Sequence, residues 1–557
     1  MPIIGDPDLS DIFANSRSTT DTSVRKKDVN PTSGMCPICI HDCKVLCEVG
    51  KSAIRGREVL YPDTEAFGHS TASSNKDYGL DWSDFQILTD LLGARGIEPS
   101  PDKATFPNVD IRTKIGGVPL SVPVFTAGLG STAVAKNYWD GLAVGAAISG
   151  SVQVIGENIC GMDMEATFTG GKVSRSPELK FRVDRFREFW DGKNGEIVVQ
   201  TNVEDQRLGT DVYALSKLEV NVIERKWGQG AKAIGGEVRI YDLKKALELK
   251  KRGYIVLPDP EDPSVQKAFK DGAFKTFERH SRVGFPEHKG FVEDIEWLRD
   301  QGAKKVFLKT GAYRPAATAF TLKCASAAKV DLLTIDGAGG GTGMSPVPMM
   351  NDCSTPTVYL QAQVMACVKM MKENGMYVPD IAFAGGFVNE TQIYKSMAMS
   401  DLGSGPTVKA IAMARAPITA VMKADYFAGL AKKGDLPAGF AKTYTSDPGK
   451  FMIAYTDLEK KYGRDVKNIP VGAIGLYTYW HDRVGVGLKQ LMAGARKWNL
   501  SCISRGDIAS ISERATRITG IPMIQDVEAD LMARILLDGS GEEAASVKTK
   551  SGRKAKA

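Results

Sequence analysis

The sequence predicts an α/β fold: a (β/α)8 TIM barrel with an N-terminal Cys-rich extension and a helical C-terminal extension. Three observations predict it. Apolar runs suited to buried parallel strands recur between residues 122 and 413. Helical patterns separate several of them. The runs end in polar or glycine loops, where barrels gather their ligands. Composition is that of a globular protein, 43% hydrophobic and 25% charged over 557 residues, long enough for one barrel with additions.

Residues 1–34 are polar and aperiodic and read as a disordered arm. They show no basic start followed by an apolar core, so a cytoplasmic, reducing location is expected. Residues 35–60 hold Cys36, Cys39, Cys43 and Cys47 in the spacing C-x2-C-x3-C-x3-C. Clustered cysteines in a reducing compartment bind metal more often than they pair. These four thiolates can wrap one [4Fe–4S] cluster or one Zn²⁺. Zinc ribbons separate two knuckles by a longer loop, so the compact run favours iron–sulfur. Cys160, Cys324, Cys353, Cys367 and Cys502 are scattered and read as small apolar residues. Residues 61–115 form a mixed extension.

Residues 116–420 are the predicted barrel. Strand-like runs lie at 122–127, 152–155, 197–203, 306–309, 330–335, 381–384 and 408–413, with helical patterns at 316–328, 359–374 and 391–399. Residues 239–304 are charged and read as a helical insertion between barrel units. Residues 421–537 read as a helical C-terminal extension, and 538–557 as a disordered basic tail. Of the net charge of +6, the last ten residues supply +5 through Lys548, Lys550, Arg553, Lys554 and Lys556. The remainder is near neutral, and nothing points to nucleic acid. No apolar run approaches the ~18 residues of a membrane helix.

The chemistry concentrates in the loops. Gly337 to Gly343 holds five glycines in seven residues after an apolar run. Such density lets backbone N–H groups approach a planar or phosphorylated ligand. Gly128-Leu129-Gly130-Ser131-Thr132-Ala133 fits a relaxed dinucleotide fingerprint, with Glu157 closing the next strand, but leaves the later glycine loops unexplained. A barrel binding FMN accounts for more. Gly385-Gly386 and Ala414-Arg415 end the last two runs, where barrels grip phosphate with backbone N–H groups and a helix N-terminus. Lys309 ends another run and suits the flavin ring, which gains negative charge near N1 on reduction. Lys232, between the glycines of Gln229 to Glu237, suits a loop closing on an acidic substrate.

At these residues the chain resembles the FMN-binding synthase domain of glutamate synthase, from about 115 to 420 and more weakly to about 520. Phe125 to Ser131, Ile155-Gly156-Glu157, Gln229 to Lys232, Gly340 to Pro346 and Gly385-Gly386 match the family's loops in order. The resemblance removes the dinucleotide reading at Gly128. It implies FMN and a reductive amination of 2-oxoglutarate, through 2-iminoglutarate reduced by flavin N5 hydride. Ala127, Gly128, Gln153, Lys309, Asp336, Gly340, Gly341, Gly343, Gly385, Gly386, Ala414 and Arg415 become the implied FMN contacts. Glu157, Lys232 and Lys309 become the implied catalytic groups, with Lys232 and Glu237 on the substrate. The departures are specific. The family's [3Fe–4S] cysteines after the last strand are absent, and the cluster at Cys36 to Cys47 could replace them. The family's His-Asp in the glycine loop is Ala338-Gly339, and its late Asp is Ala384. No amidotransferase nucleophile or pyridine-nucleotide domain is visible. Electrons are therefore expected from a ferredoxin or partner subunit, and the amine from elsewhere, in an oligomer. Two alternatives follow: a subunit resembling N-methylglutamate synthase that uses another amine, and a non-catalytic flavin or iron–sulfur electron relay.

Overall fold

The computed structural model describes residues 76–228, 237–340, 345–447 and 450–537, together with 49, 53 and 54. The predicted arm, the four-cysteine motif, Lys232, Gly341, Gly343 and the basic tail lie outside these residues. The barrel strands are β1 Val124–Leu129, β2 Gln153–Ile155, β3 Ile197–Thr201, β4 Val222–Lys226, β5 Lys305–Thr310, β6 Leu332–Asp336, β7 Asp380–Ala384 and β8 Val408–Met413. All pair in parallel, and β8 against β1 closes the ring. The closed ring excludes an open, doubly wound sheet.

Side chains alternate along each strand, so every second residue enters the barrel. The lower interior holds Phe125, Val152, Val154, Val198, Val222, Phe307 and Leu332. Below them the antiparallel pair Thr113–Ile115 and Val118–Leu120 plugs the floor with Ile115, Val118 and Leu120. Its turn needs φ values of 52° and 78°, which Gly116 and Gly117 supply without a Cβ penalty.

Seven of the eight strands coincide with the predicted runs. The eighth, β4, reads Val-Ile-Glu-Arg-Lys and carries no apolar pattern. Its polarity has a structural cause. Glu224 and Lys226 point into the barrel mouth. Arg225 points outward, where it meets Asp211 at 2.6 Å and Asp294 at 2.6 Å and donates to Thr201 at 2.9 Å. A buried guanidinium is tolerated because each partner supplies an acceptor.

The insertion is not wholly helical. Three antiparallel strands, Glu237–Ile240, Ile255–Leu257 and Phe277–His280, form a small sheet with the last in the middle. Helices Leu243–Lys251 and Pro263–Lys270 accompany it. The two extensions are joined: Phe85–Ile87 pairs antiparallel with Ile508–Ser510. Among the described residues no helix is long and apolar enough to cross a membrane.

Candidate active site

A cavity of about 1330 Å³ opens at the C-terminal ends of the barrel strands. Ala127, Gly128, Glu157, Glu237, Lys309, Asp336, Gly340, Gly385, Gly386, Ala414 and Arg415 line it. The barrel thus brings together sequence-predicted residues from six strand ends and the small sheet. Gln153 is not among them. It is fully buried on β2 between the inward-facing Val152 and Val154, so alternation turns it toward the helix layer.

The glycine loop after β6 is built by close backbone approach. Gly337 donates to the Ala384 carbonyl at 2.9 Å and Ala338 to Thr355 at 3.0 Å. A Cβ on Gly337 would sit 2.2 Å from Thr357 Oγ1, and one on Gly339 2.8 Å from the Gly385 carbonyl oxygen. Gly385 and Gly386 have φ of 111° and 82°, and Thr357 Oγ1 donates to the Gly385 carbonyl at 2.8 Å. Part of the glycine density therefore serves contact between the β6 and β7 loops. Gly339, Gly340, Gly385 and Gly386 still leave a wall without side chains on the cavity.

Opposite this wall stands a charged cluster. Lys309 and Asp336 lie 3.6 Å apart on neighbouring strands. Lys226 Nζ is 3.4 Å from Glu157 and 3.4 Å from Gln200 Oε1, and Gln200 donates to Glu224 at 2.5 Å. Burial lowers the proton affinity of Lys226, opposed by Glu157. Burial would raise the Glu157 carboxyl, but Lys226 and Lys309 hold it below the usual carboxylate range. Burial pushes Glu224 up. Gly128 is required here: a Cβ would meet the Gln200 amide at 2.8 Å. Lys226, Gln200 and Glu224 were missed in the sequence: β4 carries no apolar run, and Gln200 lies in a predicted run whose end has no glycine to mark it.

The small sheet adds Arg279, which lines the cavity at 1% exposure. Its Nη1 donates to Ser281 at 2.6 Å, its plane lies 5.0 Å over the Tyr254 ring, and its Nε has no hydrogen-bond partner. A buried guanidinium N–H without an acceptor favours an anionic ligand. The first strand loop is braced by Arg182, which pairs with Glu178 at 2.9 Å and donates to the Gly130 carbonyl at 3.1 Å.

At the β8 end, helix Arg415–Lys433 presents its N-terminus and Arg415 to the cavity. The C-terminal extension forms the adjoining wall through Phe427, Phe440, Phe451 and Met452, and through Thr478, Tyr479 and Arg483 of the π-helical stretch Thr478–Gly485. Tyr479 donates to the Val388 carbonyl, tying this stretch to the β7 loop. Among the described residues no group of His, Cys, Asp and Glu side chains could hold a metal ion.

Two solved flavoprotein structures are similar in outline. One is the flavin-binding domain of baker's yeast flavocytochrome b2, 12% identical, covering 77% of this chain and 76% of that one, TM-score 0.41. The other is a mandelate oxidase variant with a monooxide FMN adduct, 10% identical, covering 76% and 87%, TM-score 0.40. No curated protein sequence matches the chain. Residues 284–413 match the family described as the conserved region in glutamate synthase. That segment spans β5 to β8, with Lys309, the glycine loop and Gly385-Gly386 inside it, so the likeness to glutamate synthase covers the second half of the barrel.

Proposed function

We propose that this protein is an FMN-dependent oxidoreductase that reductively aminates a 2-oxoacid, with 2-oxoglutarate as the substrate and L-glutamate as the product. The observation that carries this reading is the convergence of Lys309, Glu157 and Arg279 with a glycine wall on one cavity, with Lys226 3.4 Å from Glu157. The cavity suits FMN. Gly339, Gly340, Gly385 and Gly386 offer a face that a Cβ would fill, and the N-terminus of helix Arg415–Lys433 with Arg415 offers donors for a phosphate. Gly128 and Ala127 border the ring end, with Lys309 beside it. Bound there, FMN supplies hydride to a planar imine carbon.

The chain's own groups do the rest. Arg279 holds the distal carboxylate of the oxoacid, and Glu237 lines the same cavity. The amine nitrogen bonds to the keto carbon, and the carbinolamine loses water as the imine forms. The ammonium of Lys226, made a better acid by burial, protonates the departing oxygen, and Glu157 takes the proton released by nitrogen. A second reading has methylamine in place of ammonia.

Cys36, Cys39, Cys43 and Cys47 would hold an iron–sulfur cluster on this proposal, and such a cluster would supply single electrons to the flavin. What supports it is the compact C-x2-C-x3-C-x3-C spacing of these residues. Lys76 pairs with Asp352 at 2.6 Å and Tyr78 donates to the Met350 carbonyl at 3.2 Å, just beyond the glycine loop. The test is purified chain with 2-oxoglutarate, reduced flavin and either ammonia or methylamine, with a visible spectrum and metal analysis. Glutamate from ammonia is expected, with one flavin and about four irons per chain. N-methylglutamate alone would establish the second reading. Bound flavin and iron with no turnover on any 2-oxoacid would leave an electron-relay subunit, and zinc in place of iron would remove the relay.

A further inference from the structure

We propose that Asp205 is a positioning residue that holds Glu157 against Lys226 by tying the loop after β2 to the loop after β3. The inference rests on the proposed role of Glu157 and adds a group that does not touch the cavity. Asp205 lies in the short helix Val203–Leu208 and is fully buried. One carboxylate oxygen accepts from the Asn158 N–H at 2.9 Å and from the Asn202 N–H at 3.3 Å; the other accepts from Thr210 Oγ1 at 3.3 Å. Three segments at the barrel's C-terminal face therefore share one carboxylate.

Asn158 directly follows Glu157 and has φ of 68°. A left-handed backbone at a residue other than glycine costs free energy and persists only where its surroundings hold it. Here the holders are the Asp205 bond and Tyr254, whose hydroxyl donates to Asn158 Oδ1 at 3.3 Å. If the Asp205 contact is lost, the peptide after Glu157 can relax toward the ordinary region. The Glu157 carboxylate, only 3.4 Å from Lys226, then loses its register.

The charge on Asp205 matters because all three contacts are acceptor contacts. Burial pushes its carboxyl up to about 7, against the Asn158 and Asn202 bonds that favour the ion, with the Glu157 charge adding to the rise. Two other buried groups beside it are raised as well. Burial pushes Cys160 to about 12 and raises Tyr254, while Arg279 stands on the sheet side. Glu204, its neighbour, is taken up by Arg207 at 2.9 Å and Arg282 at 3.0 Å. Protonation of Asp205 thus removes acceptor capacity at the Asn158 loop within the neutral range.

The experiment compares the full chain with Asp205→Asn. Expected are stoichiometric flavin, little change in KM for 2-oxoglutarate, kcat lower by about 10- to 100-fold, and loss of the near-neutral inflection in the pH profile of kcat. An unchanged kcat and inflection would overturn the proposal. A readout that needs no turnover is infrared difference spectroscopy of the resting protein between about pH 5.5 and about pH 8.5, a range in which ordinary carboxyls stay ionised. A carboxylic-acid carbonyl band that titrates in the wild type and is absent from Asp205→Asn is expected; a band unaffected by the substitution would overturn the assignment. That band without turnover on any oxoacid would instead fail the proposed reaction. Should Asp205→Asn not fold, Thr210→Val removes one donor, and the infrared inflection must move to higher pH; no movement would overturn the proposal.

Discussion

At the residue scale the cavity is defined by where charge is buried and where side chains are missing. Lys309 and Asp336 face each other at 3.6 Å, so neither charge stands alone in a site of low dielectric. Replacing Lys309 by Glu would put two carboxylates together, and Gly386→Trp would fill the wall while forcing a side chain onto a φ of 82°. The double variant is expected to purify colourless; stoichiometric flavin in its visible spectrum would show that the ring lies elsewhere. Arg279→Ala removes a charged donor with an unmatched Nε. A hydrogen bond to a charged group contributes about 1.5–3 kcal/mol, so KM for 2-oxoglutarate should rise roughly 10- to 100-fold while flavin content holds. Steady-state kinetics with and without the substitution decide it. Much of this site was legible in the sequence, because glycine runs and a lysine at a strand end are local signals. Arg279, Lys226 and Gln200 were not legible, since each becomes a site residue only when a distant strand or sheet turns it inward.

At the element scale, one polar strand, β4, brings Glu224 and Lys226 to the barrel mouth. β4 joins the barrel through a four-residue register with β3 and a five-residue register with β5, although its sequence is charged. Its place rests on partners at both faces: Asp211 and Asp294 outside, Gln200 and Glu157 inside. Helix packing shows the opposite limit, where the smallest side chain is required. Helix Trp139–Ile148 lies against Val471–Tyr477 so closely that a Cβ on Gly141 would sit 2.4 Å from Val421 and 3.3 Å from the Gly472 backbone. Gly141→Leu should cost about 1–3 kcal/mol by overpacking, read as a lower Tm. An unchanged Tm would mean that these helices separate without loss.

For the whole molecule, the buried groups divide its response to pH. Asp205 has its folded value raised from 3.8 to about 7, so the folded state binds the extra proton. Its ionisation penalty is absent below the unfolded value and complete above about 7, and stability from this group falls as pH rises through that window. Glu157 is shifted the other way, contributing stability above its ordinary 4.5 that is lost on acidification. His481, held by burial at about 4 against an ordinary 6.5, also removes stability as pH falls between those values. The Tm of Asp205→Asn relative to wild type is therefore expected to increase from about pH 5 to about pH 8. A difference that is flat across that range would contradict the buried charge.

The sequence by itself determined the barrel, seven of its strands and the glycine loops, because strand periodicity and missing side chains are properties of neighbouring residues. It also placed Lys309, Glu157 and the β7 and β8 loop residues at strand ends. Only the tertiary structure decided that Gln153 faces away from the cavity, since alternation within β2 depends on which residues the barrel interior claims. Only it decided that β4 is a strand, because ion pairs to Asp211, Asp294 and Glu157 come from segments far along the chain. The same holds for the small sheet in the insertion and for the pairing of Phe85–Ile87 with Ile508–Ser510. Each depends on contacts that no local pattern encodes, and the burial of Arg279 and Asp205 follows from them.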